Sequence, residues 1–276
     1  MLTTSETHAP PDAAGASTSG TDRESADAAN VSGPPAGRGK RRRLAVRIAL
    51  VLVIAGVTTF EINMATGPSV HDASAVVEAI DRAHGSLPEM IAPTERIAIA
   101  MVAAEDGTFY SNNGVDVPDL VRGLLGYLTG TDAGGSTIEI QLAHLLYPSA
   151  TDGLWGRVHR VSLALQFDTH YTKAAILSMY LAAAYFGHGF YGIRAASLGY
   201  FGTPPDQLSW AQATLLAGLV QAPSALDPFR HLTAAMHRMS YVLQRLVSDG
   251  RLTAAQASAV ARSPLRLVAP RAPNGS

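Results

Sequence analysis

Glu105 and Asp106 stand side by side after the apolar run "IAIAMVA", in the stretch "AAEDGTFYSNNG" (residues 103–114). Two carboxyl groups there are either an ordinary surface helix end or a reactive pair, because charge beside a buried segment is unfavourable. Burial raises a carboxyl pKa, and such a carboxylate can take a proton from a poorly acidic hydroxyl near neutral pH. General acid-base work by Glu105 is thus the first candidate chemistry, with Asp106 as its hydrogen-bonding neighbour. A second candidate is "GTDAGGST" (130–137), a glycine-rich turn that enters a helix through Ser136 and Thr137. Helix N-termini attract phosphate, but Ser and Thr are also ordinary caps. In "YFGHGFYGIRAASLGYFG" (185–202), aromatics alternate with glycines. That pattern suits a groove wall for an extended ligand, or core rings linked by glycine loops.

Other chemistries are excluded or weak. The chain has no cysteine, which removes thiol nucleophiles, disulfides and thiolate metal sites. His159, His170, His188, His231 and His237 are scattered rather than set at a metal-binding spacing. With 21 Lys+Arg against 22 Asp+Glu, no overall field favours nucleic acid as a partner.

The elements that must position these residues read as helices. A charged fraction of 16% and a hydrophobic fraction of 47% are enough for a well-filled core. From about residue 75 apolar residues recur at helical spacing, and no alternating hairpin appears. "DASAVVEAIDRAHG" closes on Gly85, and "TERIAIAMVAAED" opens on Thr94 as a candidate N-cap. "DVPDLVRGLLGYL", "STIEIQLAHLLY", "GRVHRVSLALQFDTHY", "TKAAILSMYLAAAYFG" and "SWAQATLLAGLVQA" follow the same pattern. "LTAAMHRMSYVLQRLVSDG" stops at Gly250, and "RLTAAQASAVAR" is a last short helix. The expected fold is one mostly α domain over residues 75–265, with a disordered tail over 266–276.

The N-terminal part differs in kind. Residues 1–43 are poor in large apolar side chains and end in a cluster of Arg38, Lys40, Arg41, Arg42 and Arg43, so a disordered tail is expected. The apolar run "LAVRIALVLVIAGVTTF" (44–60) is slightly short for a membrane span, and Arg47 can snorkel toward headgroups. The basic cluster places the N-terminus in the cytoplasm and the rest outside. An uncleaved, single-pass signal anchor in the plasma membrane is the expectation, ahead of a cleaved leader or a buried core helix.

"AAEDGTFYSNNGVD", "GGSTIEIQLAHLLY", "YTKAAILSMYLAAAYFGHGFYGIRAASLGYFG" and "LLAGLVQAPSALDP" together resemble the peptidoglycan glycosyltransferase domain, glycosyltransferase family 51, in order and spacing. The resemblance covers roughly residues 75–250 and points to the monofunctional, membrane-anchored type. It implies a lysozyme-like, two-lobed helical fold with a central groove. It also implies polymerisation of lipid II onto a nascent glycan strand with release of undecaprenyl pyrophosphate. Glu105 falls on the family's general base. Asp106, Phe109, Gly114, Gly135, Ser136, Thr137 and Gln141 fall on substrate-binding positions, and Arg157 on a lysine position suited to phosphate. No tightly bound cofactor is implied beyond a divalent cation, Mg or Mn, on the pyrophosphate. Other cell-wall synthases are the implied protein partners.

The family pattern breaks at several places. The second family glutamate falls on Arg160, which cannot act as acid, base or metal ligand. Asn112 replaces a histidine, Glu139 and Ile140 replace a Thr-Gln pair, and His144-Leu145 replace Lys-Asn. In one reading the enzyme is active, with Arg157 or Arg160 holding pyrophosphate and Glu139 as a possible second carboxylate. In another the domain is a lipid II or glycan-binding scaffold. A hydrolase using Glu105 as acid would need a second carboxylate partner.

Overall fold

The computed structural model describes residues 38–66, 69–85, 92, 95–130, 136–148 and 153–268. Among these, eleven α-helices carry the fold: α1 Arg38–Thr66, α2 Ala73–Ala83, α3 Arg96–Glu105, α4 Val117–Thr129, α5 Ile138–Leu146, α6 Leu154–His170, α7 Lys173–Ala183, α8 Ile193–Phe201, α9 Trp210–Leu219, α10 Leu232–Ser248 and α11 Ala254–Ala261. The β pairing among the described residues is one isolated bridge, Tyr185 with Tyr191. The mostly α expectation holds.

The N-terminal segment corrects one expectation. The basic cluster at residues 38–43, read as the end of a disordered tail, is the first part of α1. Lys and Arg are good helix formers and need only an adjoining apolar helix to be carried along. Residues 1–37 and 269–276, assigned to tails, lie outside the described residues, but the expected start of the C-terminal tail at 266 is corrected, because Val268 N–H donates to the Tyr200 carbonyl at 2.9 Å. Leu44, Ile48, Val51 and Val57 on α1 are more than half exposed. Even so, no helix among the described residues is long and apolar enough to cross a membrane. The apolar run is only 17 residues, interrupted by Arg47 and followed at once by Glu61. The chain divides into compact units at Val51/Leu52, and the helices from α2 onward belong to the second.

That unit is built from two packed groups of helices. In one, α9 packs against α3 and α10, and α10 also holds α3 and α11. In the other, α5 packs on α6 and α7, and α2 lies on α7. α8 touches both α7 and α9. The centre of the first group is α9, "WAQATLLAGL", buried along its length except for Trp210. Its Ser209 and Gln212 form a reciprocal capping box, which satisfies N-terminal amides that a buried helix cannot leave bare.

Helix ends follow the local sequence closely. Gly85 and Gly250 follow α2 and α10 with φ of +69° and +67°. Thr137 caps α5 by accepting from Ile140 N–H. The N-cap position of α3 is Glu95, whose side chain makes no capping hydrogen bond, and the expected cap Thr94 lies outside the described residues. α8 is the element the glycine-aromatic pattern concealed. The ring of Phe190 lies where a side chain at Gly199 would be, so the absence of one lets the ring close over the helix.

Candidate active site

Glu105 is the last residue of α3, at the seam where the two helix groups meet. Helix C-termini carry unpaired carbonyls and a partial negative charge, so a carboxylate there is unfavourable without compensation. Two arginines of α10 supply it. Arg245 donates from Nε to the Ala103 carbonyl at 3.1 Å, and the charge of Arg238 draws on Glu105. Burial nevertheless dominates and pushes the Glu105 carboxyl above its ordinary 4.5. The Gln141 hydrogen bond and Arg238 pull it back in part, and Asp106 adds a smaller upward push.

Gln141, on α5, donates from Nε2 to Glu105 Oε2 at 3.0 Å and accepts at Oε1 from the Tyr180 hydroxyl at 2.7 Å. Burial and the nearby Glu105 hold the Tyr180 pKa far above its usual value, so the phenol stays a donor. Both ends of the amide are thereby oriented. Glu105 Oε1 is covered and has no hydrogen-bond partner. A buried carboxylate oxygen without a donor is costly, and it is free to take a proton.

Beside Gln141 opens a cavity of about 410 Å³ whose polar lining is Ser136, Gln141, His144, Arg160, Tyr180 and Tyr185. Ile140, Leu145 and Val220 add apolar surface. Glu105 is not itself among the lining residues. It stands behind Gln141, one hydrogen bond from the wall. Among the described lining residues, Arg160 carries the only permanent formal charge.

Asp106 has a different task. Its Oδ1 accepts from the Thr108 N–H and hydroxyl at 3.0 and 2.8 Å, while Oδ2 accepts from Asn112 Nδ2 at 3.0 Å and Ile138 N–H at 3.3 Å. Both oxygens are committed, and one bond closes the distance from the end of α3 to the start of α5. This is a brace, not a substrate ligand. Gly114 is likewise structural. It has φ +84° and lies so close to α6 that an added Cβ would be 2.6 Å from the Ala164 carbonyl oxygen. Its own carbonyl accepts from the Thr137 hydroxyl at 2.8 Å. Phe109, expected to touch substrate, has no exposed surface and packs beneath Lys173, whose Nζ is 4.9 Å from its ring centroid.

Glu139 corrects a further expectation. Residues two apart on a helix point to roughly opposite sides, so Glu139 faces away from Gln141 and into the core. It is fully buried and ion-paired to Lys173 Nζ at 2.6 Å. Lys173 also binds Asp168 at 2.8 Å and Asn112 Oδ1 at 2.9 Å. Burial raises the Glu139 pKa while Lys173 lowers it. A second carboxylate for the cavity does not come from here.

The remaining expected residues divide. Ser136, Gln141 and Arg160 line one cavity, whereas Arg157 is exposed on α6 outside that lining. Thr137 is a buried cap, and Gly135 lies outside the described residues. Sequence reasoning missed Tyr180, Lys173 and Arg238. The phenol of Tyr180 in an otherwise apolar helix was a readable signal, since a buried hydroxyl needs a partner. His144 was noted only as a departure, yet it sits one turn beyond Gln141 and shares the cavity wall.

The divalent cation that the resemblance implies meets an unsuitable donor set. Mg²⁺ and Mn²⁺ take hard oxygen ligands, carboxylates above all. The described lining residues include no carboxylate, and no group of three His, Asp or Glu able to hold a metal occurs among the described residues.

The fold and site together define a helical domain in which a buried carboxyl group, Glu105, stands one hydrogen bond behind a cavity whose described wall includes an arginine. The chain belongs to the transglycosylase family, which it matches over residues 75–247. A Cupriavidus necator protein named as a transglycosylase is 36% identical over 169 residues, covering 61% of this chain and 73% of its own. Penicillin-binding protein 1A of Aquifex aeolicus is 35% identical over 62% of this chain, and that of Escherichia coli 36% over 57%. The matched part is only 24% and 19% of those two longer proteins. A solved structure of penicillin-binding protein 1A from Haemophilus influenzae aligns over 48% of this chain and 16% of its own, at 24% identity and a TM-score of 0.33.

Proposed function

We propose that this chain is a peptidoglycan glycosyltransferase that extends glycan strands from lipid II and releases undecaprenyl pyrophosphate. The observation that carries the reading is Glu105: a carboxylate with a raised pKa and one unpartnered oxygen, held by Gln141 one hydrogen bond behind the cavity wall. As general base it would take the proton of the acceptor sugar's 4-hydroxyl as that oxygen attacks the donor's anomeric carbon. The C–O bond to the pyrophosphate breaks in the same displacement, and the leaving group's charge needs a cation in place. Arg160 is the charged side chain among the described residues of the cavity wall. Two helix groups meeting at the catalytic seam support the lysozyme-like, two-lobed arrangement.

Plasma-membrane attachment belongs to the same proposal. The exposed apolar side chains of α1 follow a basic cluster, which favours a cytoplasmic N-terminus and an extracytoplasmic enzyme domain. On α4, Val117, Val121 and Leu125 are each more than half exposed on one face, which suits a domain working at a lipid surface. Other cell-wall synthases are the partners this placement favours.

One observation favours a second reading. The described cavity lining lacks the second carboxylate, so a domain that binds lipid II without polymerising it is the alternative. Purified full-length protein in detergent, supplied with lipid II, separates the two. Glycan polymer that disappears with Glu105→Gln supports the enzyme; retained lipid II binding without polymer supports the scaffold.

A further inference from the structure

Arg160 projects from α6 into the cavity wall, is partly buried, and makes no hydrogen bond or ion pair with any described residue. A guanidinium has five N–H donors and no acceptor, so leaving it unpaired in a partly covered position is unfavourable. The same wall offers the Ser136 hydroxyl and the His144 ring, with no carboxylate among the described lining residues to compete for Arg160. The planar fork of arginine matches two phosphate oxygens at once. The same lining that repels a divalent cation therefore suits an anion directly.

We infer that Arg160 is the fixed counter-charge for a diphosphate in this cavity, so that the chain holds its diphosphate ligand without a divalent cation. This rests on the cavity being the donor side of the proposed transferase, and it goes beyond that reading in removing the metal. Ser136 and His144 are placed to add hydrogen bonds to the same group.

The test is calorimetric binding to the full chain in detergent, with inorganic pyrophosphate and farnesyl diphosphate as probes. Each is titrated in chelator and in excess Mg²⁺ at matched free probe concentration. The expected result is a Kd in chelator within about threefold of that in Mg²⁺, because a guanidinium already neutralises the phosphate oxygens. Arg160→Gln is expected to weaken binding about tenfold or more in both conditions, the loss of a charge-assisted bidentate contact, with Tm unchanged. Arg160→Glu is expected to lose binding in chelator and regain it with Mg²⁺ or Mn²⁺. Tighter binding of farnesyl diphosphate than of pyrophosphate assigns the ligand to a lipid-linked source; equal binding assigns it to the diphosphate alone. Binding of wild type only with metal, no binding of either probe, or full affinity in Arg160→Gln overturns the inference. A parallel polymerisation assay keeps the two claims apart. Polymer that requires metal retains the transferase and removes this inference, whereas chelator-resistant, Arg160-dependent binding without polymer does the reverse.

Discussion

Gln141 links Glu105 to Tyr180: its amide nitrogen is 3.0 Å from the carboxylate and its amide oxygen 2.7 Å from the phenol. The bridge runs between α3 and α7 through α5. It fixes the carboxylate in one rotamer while leaving the other oxygen without a donor.

Glu105→Gln is expected to abolish polymer formation and to stabilise the fold at neutral pH. In the unfolded chain the carboxyl ionises near 4.5, and in the folded protein at a higher pH. The folded state therefore binds the proton more tightly, and wild-type stability falls as pH rises from the first value through the second. The variant lacks that loss. Its Tm should exceed the wild-type Tm at pH 7, and the gap should close by about pH 4, where both forms of the protein carry a neutral side chain. An equal gap at both values would contradict a raised Glu105 pKa.

Gln141→Leu removes a hydrogen bond that favours the Glu105 anion. The carboxyl pKa should move further up, and the acid limb of the pH–rate profile should move up with it. A profile that drops uniformly without shifting would mean Gln141 acts on substrate alone.

Lys173→Met would leave Glu139 fully buried and Asp168 and Asn112 without their shared donor. Breaking one partner of a buried ion pair costs about 3–5 kcal/mol. Urea unfolding should show that loss, and adding Glu139→Gln should restore part of it. Loss below about 1 kcal/mol would place the pair in the range of surface pairs.

Gly114→Ala forces a side chain onto a backbone at φ +84° and into the Ala164 carbonyl. Neither atom belongs to a flexible side-chain tip, so strain and overlap together should cost about 3 kcal/mol. Thermal unfolding measures it directly, and an unchanged Tm would rule out the close approach to α6.

Much of this was legible in the sequence because helical periodicity and caps are local. Gly85, Gly250 and Thr137 end or start helices for reasons contained in a few residues. Glu105 was legible because charge after an apolar run is conspicuous. What stayed hidden was direction. Glu139 and Gln141 look equally eligible in "STIEIQLAHLLY", yet their 200° separation sends one to the core and the other to the cavity. Phe109 reads as a ligand contact in a catalytic motif, but only three-dimensional packing reveals that Lys173 and the core enclose it. The Asp106–Ile138 and Gln141–Glu105 bonds span 32 and 36 residues, beyond what any local pattern encodes. α8 was hidden because Gly199 reads as a breaker until Phe190 is placed over it.

The segment from Asp106 to Gly114 is fastened at its start to α5, in its middle to the core through Phe109, and at its end to the backbone of α6. It therefore behaves as a keystone rather than an interchangeable tile. A chimera grafting a relative's version of these nine residues should fail unless it also imports the facing positions 137, 139, 164, 168 and 173, which makes that set the smallest transplantable unit.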